Sequence, residues 1–287
     1  SMDGDTILVS AGTYYENIVF RNNNITLKST SGSENTIIDG LNNRRVIEIF
    51  EDNINTASSI DGFTIQRGYA GDEDDFINQG AGILSTRPIT IKNCIFQNNT
   101  CSSDYNSGEG AAIYSKYPGI IIDNCIFRDN NAWNDVYLGI NTWGDGNANN
   151  INITNSVFED PLMDQGVHFD VYTLLDNLVV SIDNCTFYTK SAINFSNGTP
   201  TSPNILDINN CTFIGLSSIS HYSNGSDAEF NLANSNFYVE QCAVNASPNY
   251  GITNISNCNF NRTDYSSDIV RTHSNYSNIS NCRFSSA

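Results

Sequence analysis

The sequence predicts an all-β protein, a single-stranded parallel β-helix (solenoid) of roughly ten coils with three short strands per coil. An Asn-(Cys/Ser)-x-Phe phrase occurs eight times in the 287 residues. Its Cys/Ser positions lie 31, 31, 29, 26, 24, 23 and 24 residues apart, and a repeat of this length is typical of solenoids. Around each phrase, β-branched and aromatic residues alternate as they do in strands. No stretch of useful length has the spacing of apolar residues that is typical of a helix.

The repeated phrase predicts where each coil bends and which side chains enter the core. It stands at residues 93–96, 124–127, 155–158, 184–187, 210–213, 234–237, 257–260 and 281–284. Asparagine suits a bend because it tolerates the left-handed backbone region. Alternation sends the Cys/Ser and Phe positions to one side, which their apolar character indicates is the interior. Parallel coils about 4.8 Å apart would then carry ladders of asparagine, cysteine and phenylalanine.

A second set of segments, each ending in Ser or Thr, predicts the third strand of each coil. The segments are residues 81–85, 111–115, 138–142, 169–173, 192–196, 219–223, 243–247 and 270–274. Counting back from the hydroxyl residue, the second and fourth positions are mostly small or aliphatic. We therefore expect those positions to face the core, and the first and third positions to face solvent.

The early coils are longer than the later ones. Their additional residues precede the Ser/Thr-terminated segments, at residues 66–79, 97–109, 128–137 and 159–167. Long loops on a rigid scaffold are where binding and catalytic residues concentrate. We therefore expect a functional surface beneath these insertions.

A row of solvent-facing side chains, one per coil, is predicted beside the insertions. It comprises Leu84, Tyr114, Asn141, Tyr172, Phe195 and Tyr222, with Trp133, Asp135 and Trp143 nearby. Aromatic rings along a groove suit the apolar faces of sugar rings, whose hydroxyls hydrogen-bond to Asn and Asp. The row is thus a candidate polysaccharide-binding groove. The alternative is that exposed aromatic residues only stabilise the sheet through packing against their neighbours.

Four residues form a candidate catalytic set. His168 and Asp170 share the outward parity, with Tyr137 one coil before and Lys190 one coil after. A base, an acid and sugar-orienting groups are what cleavage of a glycan by elimination or hydrolysis requires. The alternative is that His168 is a solvated surface histidine.

The acidic loop around residue 74 is a candidate cation site. Asp72, Asp74 and Asp75 offer the carboxylate oxygens that Ca²⁺ prefers. The spacing matches no known calcium-binding loop, and a solvated acidic face is the alternative.

Six of the eight cysteines occupy the inward ladder position, namely Cys94, Cys125, Cys185, Cys211, Cys258 and Cys282. The parallel-strand spacing of about 4.8 Å is longer than the Cβ separation that a disulfide prefers. We therefore expect buried free thiols rather than disulfides or metal ligands.

Several phrases resemble those of a known family. They are residues 5–18, residues 60–65, the Gly-Ala-Gly-Ile and Gly-Ala-Ala-Ile turns at 80–83 and 110–113, and Phe-x-x-Asn at Phe96 and Phe127. Over essentially the whole chain they are similar to the right-handed parallel β-helices of the pectate-lyase (pectin lyase-like) superfamily. The turns and the Phe-x-x-Asn pairing also resemble the passenger domains of chlamydial polymorphic membrane proteins, which are adhesins. The resemblance implies a right-handed coil.

The resemblance carries no active site with it. The Gly12-Thr-Tyr-Tyr-Glu-Asn17 phrase is similar to an early coil of pectin methylesterases. Their Gln-Asp-Thr and Gly-Arg-Pro-Trp catalytic phrases do not occur, nor do the catalytic phrases of polygalacturonases or classical pectate lyases. Fold alone does not decide function.

Charge and composition limit the partners. The net charge of −18, with 13 Lys plus Arg, argues against nucleic acid and anionic membranes. It also disfavours polyuronates, unless Ca²⁺ bridges them, relative to neutral or cationic glycans. No apolar run is long enough to cross a bilayer. We expect a monomeric extracellular or cell-surface protein, with residues 1–287 forming one β-helix domain excised from a longer chain.

Three functions follow from these observations. The first is an extracellular polysaccharide-binding β-helix that uses the aromatic groove. The second is a polysaccharide lyase or glycoside hydrolase with its site around Asp170. The third is an adhesin or structural stalk segment.

Overall fold

The computed structural model describes residues 2–21, 23–50, 58–71, 78–102, 108–132, 134–140, 150–159, 165–171, 178–197, 204–263 and 268–286. These ranges contain strands and turns but no helix. The strands are β1 Thr6–Val9, β2 Gly12–Tyr14, β3 Ile18–Arg21, β4 Thr26–Ser29, β5 Thr36–Asp39, β6 Ile47–Phe50, β7 Ser58–Asp61, β8 Thr64–Gln66, β9 Tyr69–Ala70, β10 Ile83–Ser85, β11 Ile89–Lys92, β12 Ile95–Gln97, β13 Thr100–Cys101, β14 Ile113–Ser115, β15 Ile120–Asp123, β16 Ile126–Arg128, β17 Asn134–Ile140, β18 Asn150–Thr154, β19 Val157–Glu159, β20 Gln165–Val171, β21 Val179–Asp183, β22 Thr186–Asn197, β23 Ile205–Asn209, β24 Thr212–Ala233, β25 Asn236–Val239, β26 Val244–Ser256, β27 Asn259–Arg262, β28 Val270–Thr272, β29 Tyr276–Ser280 and β30 Arg283–Ser286.

The chain forms two compact units, Ser1–Gly139 and Ile140–Ala287. In the first unit each coil supplies one strand to each of three parallel sheets. The first sheet is β1, β4, β7, β11 and β15, and the second is β2, β5, β8, β12 and β16. The third sheet is β3, β6, β10, β14 and β17. The first unit therefore contains five coils.

In the described part of the chain the second unit repeats this arrangement over five coils, and β29 and β30 add a sixth strand to its first and second sheets. Its first sheet contains β18, β21, β23, the ends of β24 and β26, and β29. Its second sheet contains β19, the beginnings of β22 and β24, then β25, β27 and β30. Its third sheet contains β20, the end of β22, the middle of β24, the beginning of β26, and β28.

Each unit is therefore a right-handed parallel β-helix, as the sequence predicted. A short additional sheet pairs β9 with β13 beside the first unit's coils. Whether residues 1–287 behave as one domain stays a prediction.

The asparagine of every repeat phrase lies at a bend, as predicted. All eight have positive φ angles, between 51° and 54°. Their amides also bond from coil to coil: Asn124 Nδ2 donates to Asn93 Oδ1 at 2.7 Å, and Asn93 Nδ2 donates to Asp61 Oδ1 at 2.6 Å. Gly62, which has a φ of 85°, occupies the bend one coil earlier. The residue type thus follows from the backbone conformation that the bend requires.

The cysteine ladder is also confirmed. All eight cysteines are free, and the six ladder thiols are buried except Cys282, which is half-buried. The Cys94 thiol donates to the carbonyl oxygen of Lys92 at 3.1 Å. Ser156 and Ser235 replace cysteine in two coils and donate to the equivalent carbonyl oxygen at 2.7 Å. The position therefore requires a small donor rather than a reactive sulfur.

The phenylalanine ladder forms the centre of the second sheet's inner face. Phe187, Phe213 and Phe237 are fully buried, and consecutive ring centroids lie 5.2 and 4.6 Å apart with nearly parallel planes. Burial of each such side chain contributes roughly 1.5–3 kcal/mol. Residues directly before and after each phenylalanine must then point outward.

Candidate functional site

The predicted outward row of the third sheet is interrupted in the first unit. Leu84 pairs with Tyr114 as expected, but Tyr114 pairs with Tyr137. The expected alignment, in which Asn141 follows Tyr114, therefore differs from the observed pairing of Tyr114, and Asn141 itself lies outside the described residues. The prediction aligned the terminal hydroxyl residues of successive segments, whereas in the structure Ser85 pairs with Ser115 and Ser115 pairs with Leu138.

The predicted outward row is also wrong at Phe195 in the second unit. Ser196 pairs with Tyr222 rather than with Ser223, and Phe195 therefore pairs with His221. Both Phe195 and His221 are 1% exposed. The large apolar ring occupies the interior because its burial is worth more than alignment of two hydroxyls. Tyr222 is 46% exposed, as predicted.

Leu84 and Tyr114 have the expected direction but not the expected exposure. Leu84 pairs with Glu48 on the outer side of the third sheet. Nevertheless Leu84 is 0% and Tyr114 6% exposed, and they pack with Phe50 into a small apolar cluster. These side chains therefore stabilise the outer surface of the first unit and offer no open ring face to a ligand.

Several predicted site residues lie outside the described part of the chain. They are Asp72, Asp74, Asp75, Trp133, Asn141, Trp143 and Tyr172, together with the side chains of Asp135, Tyr137 and Asp170. Their proposed roles stay predictions.

Backbone pairing shows where the residues of the candidate catalytic set lie. His168 pairs with Asn194 and Asp170 with Ser196, both in the third sheet of the second unit. Lys190 lies earlier in β22, before this paired segment begins, and is half-buried like His168. His168 and Asp170 therefore lie on the same strand, β20, and Lys190 pairs with neither of them.

An open groove of about 330 Å³ lies on the outer face of the second sheet in the second unit. Tyr188 and Tyr238 in its lining are 47% and 52% exposed. They belong to one row, in which Tyr188 pairs with Ile214 and Ile214 with Tyr238. The strand spacing places the two tyrosines roughly 10 Å apart along the stack. The lining also includes Gly215, Val239, Glu240, Asn261, Arg262 and Thr263.

Gly215 allows the coils beside the groove to approach closely. A Cβ atom at this position would lie 1.8 Å from the carbonyl oxygen of Thr189 in the preceding coil. The φ angle of Gly215 is 156°. Only glycine leaves room for this close approach of the two backbones.

The polar part of the groove has a defined arrangement. The Glu240 backbone amide donates to the Gly215 carbonyl oxygen at 3.0 Å, while its side chain is exposed. Val239, directly before it, is 1% exposed and faces the core. Arg262 pairs with Val239, on the inward side of the alternation, and is half-buried. Glu240, in the bend that follows β25, is therefore the exposed charged side chain of the groove lining.

The sequence analysis did not predict this groove, although the repeated phrase indicates its position. Tyr188 and Tyr238 directly follow the phenylalanines of two repeat phrases. Since these phenylalanines face inward, the next residue in each coil faces outward. Aromatic residues recurring immediately after the repeat phenylalanine would have located this surface.

The equivalent row in the first unit is polar. The Arg128 guanidinium donates to Gln97 Oε1, Gln97 Nε2 donates to Gln66 Oε1 at 2.7 Å, and Gln66 Nε2 donates to Asp39 Oδ2 at 2.7 Å. Arg67 adds an ion pair to Asp39 at 2.6 Å. Burial would raise the pKa of Asp39, but these hydrogen bonds outweigh it and hold the pKa below its ordinary value. The second sheet is thus a hydrogen-bonded surface in the first unit and an aromatic one in the second.

A buried histidine lies in the core of the second unit. The His221 ring lies 5.1 Å from Phe195 and 5.4 Å from Phe230, centroid to centroid. Within the described residues its Nδ1 has no hydrogen-bond partner. Burial lowers the pKa of His221 to about 3, so the ring is neutral at pH 7.

No cluster of three or more His, Cys, Asp or Glu side chains suited to a metal ion occurs in the described ranges. The same part of the chain contains no helix of the length and apolar character needed to cross a bilayer. Comparison with known protein families, with curated proteins and with solved structures gave no match.

Proposed function

We propose that this protein is an extracellular polysaccharide-binding β-helix and that the groove at Tyr188 and Tyr238 is its binding site. The observation that carries the proposal is the pair of exposed tyrosines on one row of the second sheet, on either side of Ile214. The site therefore differs from the third-sheet row that the sequence predicted.

The chemistry of the groove suits a sugar polymer. Tyrosine rings offer apolar faces to the C–H groups of a pyranose, while Asn261, Thr263 and Glu240 offer hydrogen-bonding groups to its hydroxyls. A volume of about 330 Å³ is at the lower end of the range for ligand pockets. Because Tyr188 and Tyr238 are two coils apart, we infer that the polymer lies along the coil stack and contacts both rings.

The rigid coil stack supports this assignment. The backbone at Ile214 is hydrogen-bonded into parallel strands on both sides, so the ring spacing is set before the ligand arrives. A preorganised surface loses little conformational entropy on binding. The repeat phrases and the coil architecture also lead us to propose membership of the pectate-lyase superfamily.

A glycan-binding experiment tests the proposal. We expect Tyr188→Ala combined with Tyr238→Ala to weaken binding of soluble polysaccharide by at least about tenfold, since loss of an aromatic contact residue commonly costs more than 1 kcal/mol. The matched control is Tyr222→Ala combined with Tyr276→Ala, which removes two exposed tyrosines from the other two sheets of the same unit. Affinity electrophoresis or calorimetry on a glycan panel measures the effect.

The outcomes separate the three functions. Loss of binding in the control pair but not in the groove pair contradicts the proposed location. Absence of binding to every glycan favours an adhesin or stalk. New reducing ends or unsaturated products, abolished by Asp170→Asn, would show an enzyme.

A further inference from the structure

We propose that the groove selects a cationic glycan, a polymer of amino sugars, and that Glu240 determines this selectivity. This inference rests on the proposed function and specifies the class of polysaccharide.

The first support is the position of Glu240. It follows Val239, whose side chain is buried, and two residues before it Tyr238 is 52% exposed. Both side chains are exposed and both line the groove. The groove thus combines an exposed aromatic ring with a carboxylate, the two groups that a sugar bearing an ammonium group would contact.

The second support is that the Glu240 carboxylate is not used within the described part of the protein. The ion pairs found there join Lys28 to Asp61, Arg45 to Glu48, Arg67 to Asp39 and Arg271 to Asp268. Arg262, the cation of the groove lining, already interacts with other groups of the protein. A ligand cation can therefore pair with Glu240 without displacing an ion pair.

The third support is the chemistry of the tyrosine rings and of the whole chain. A cation over the face of a tyrosine ring is attracted by the ring quadrupole. The chain carries 31 Asp plus Glu against 13 Lys plus Arg, which raises the local concentration of polycations and lowers that of polyanions. Both effects favour an amino sugar over a uronic acid.

Three probes of equal length test the proposal with the full chain: glucosamine oligomers, N-acetylglucosamine oligomers and galacturonate oligomers. The first two share a backbone and differ in the charge of the amine. We expect glucosamine oligomers to bind most tightly, with an affinity that falls as salt is raised. Glu240→Gln should weaken their binding by about fivefold, as loss of a partly exposed ion pair does, and leave N-acetylglucosamine oligomers unaffected.

The control variant is Glu34→Gln, which removes an equal charge from an exposed position in the other unit and should change none of the affinities by more than about twofold. Circular dichroism confirms that both variants are folded. Tighter binding of galacturonate than of glucosamine oligomers overturns the proposal, as does unchanged glucosamine binding in Glu240→Gln. If either result occurs while the Tyr188 and Tyr238 double variant still loses binding, polysaccharide binding stands and only the charge selectivity fails. If no probe or other glycan binds, the proposed function itself fails.

Discussion

Replacement of His221 by phenylalanine should remove much of the acid sensitivity of this protein. The histidine ring lies against Phe195 and Phe230 in the core, and burial lowers its pKa from 6.5 to about 3. Between these two values the unfolded chain binds one more proton than the folded chain. The free energy of unfolding therefore decreases as the pH falls from 6.5 toward 3.

The size of the effect follows from linkage. Each pH unit in this window costs about 1.4 kcal/mol, so at pH 5 the wild type should have lost about 2 kcal/mol through His221 alone. His221→Phe keeps an aromatic ring in the stack but does not titrate. It also removes a buried Nδ1 that has no hydrogen-bond partner in the described residues, which should add about 1 kcal/mol of stability at pH 7.

Urea unfolding at pH 7 and pH 5 measures the prediction. The loss of stability between the two pH values should be about 2 kcal/mol larger in the wild type than in His221→Phe. Carboxylates contribute equally to both proteins, so the difference isolates His221. The matched control is His273→Gln, which replaces an exposed histidine instead of a buried one. Equal pH dependence in wild type and His221→Phe, or a His221 ring that titrates near pH 6.5 by NMR in the folded protein, would refute the reasoning.

Two further changes test the coil packing. Gly215→Ala should destabilise the protein by about 1–3 kcal/mol in urea unfolding, because the new Cβ would lie 1.8 Å from the Thr189 carbonyl oxygen. Gly166→Ala, whose Cβ would lie 3.0 Å from its nearest atom, should cost less, and equal losses would contradict the argument. Thiol titration of the native protein at pH 8 should modify only the half-buried Cys242 and Cys282, since the other six thiols are buried and inaccessible to the reagent. Rapid reaction of all eight cysteines without denaturant would be inconsistent with the ladder.

The bends and the inner faces of the first and second sheets could be predicted from the sequence. Asn93 and its equivalents satisfy a local requirement for positive φ. The phenylalanine three residues later is buried in every phrase except the last, where Phe284 is 50% exposed. For the candidate site, the sequence predicted the type of surface but not its position. An aromatic groove was expected, but on the third sheet, where Phe195 proved to be buried and Tyr114 covered.

The repeated phrase by itself determined a parallel coil with asparagine bends and a ladder of phenylalanine rings. Those features depend on residues only a few positions apart, and such local preferences are carried by the sequence. Tertiary structure alone decided which outward residues stay open to solvent, because the spacer between the second and third strands varies in length and contacts between coils determine its register. Pairing of Phe195 with His221, and exposure of Tyr188 and Tyr238 beside Gly215, therefore followed from stacking.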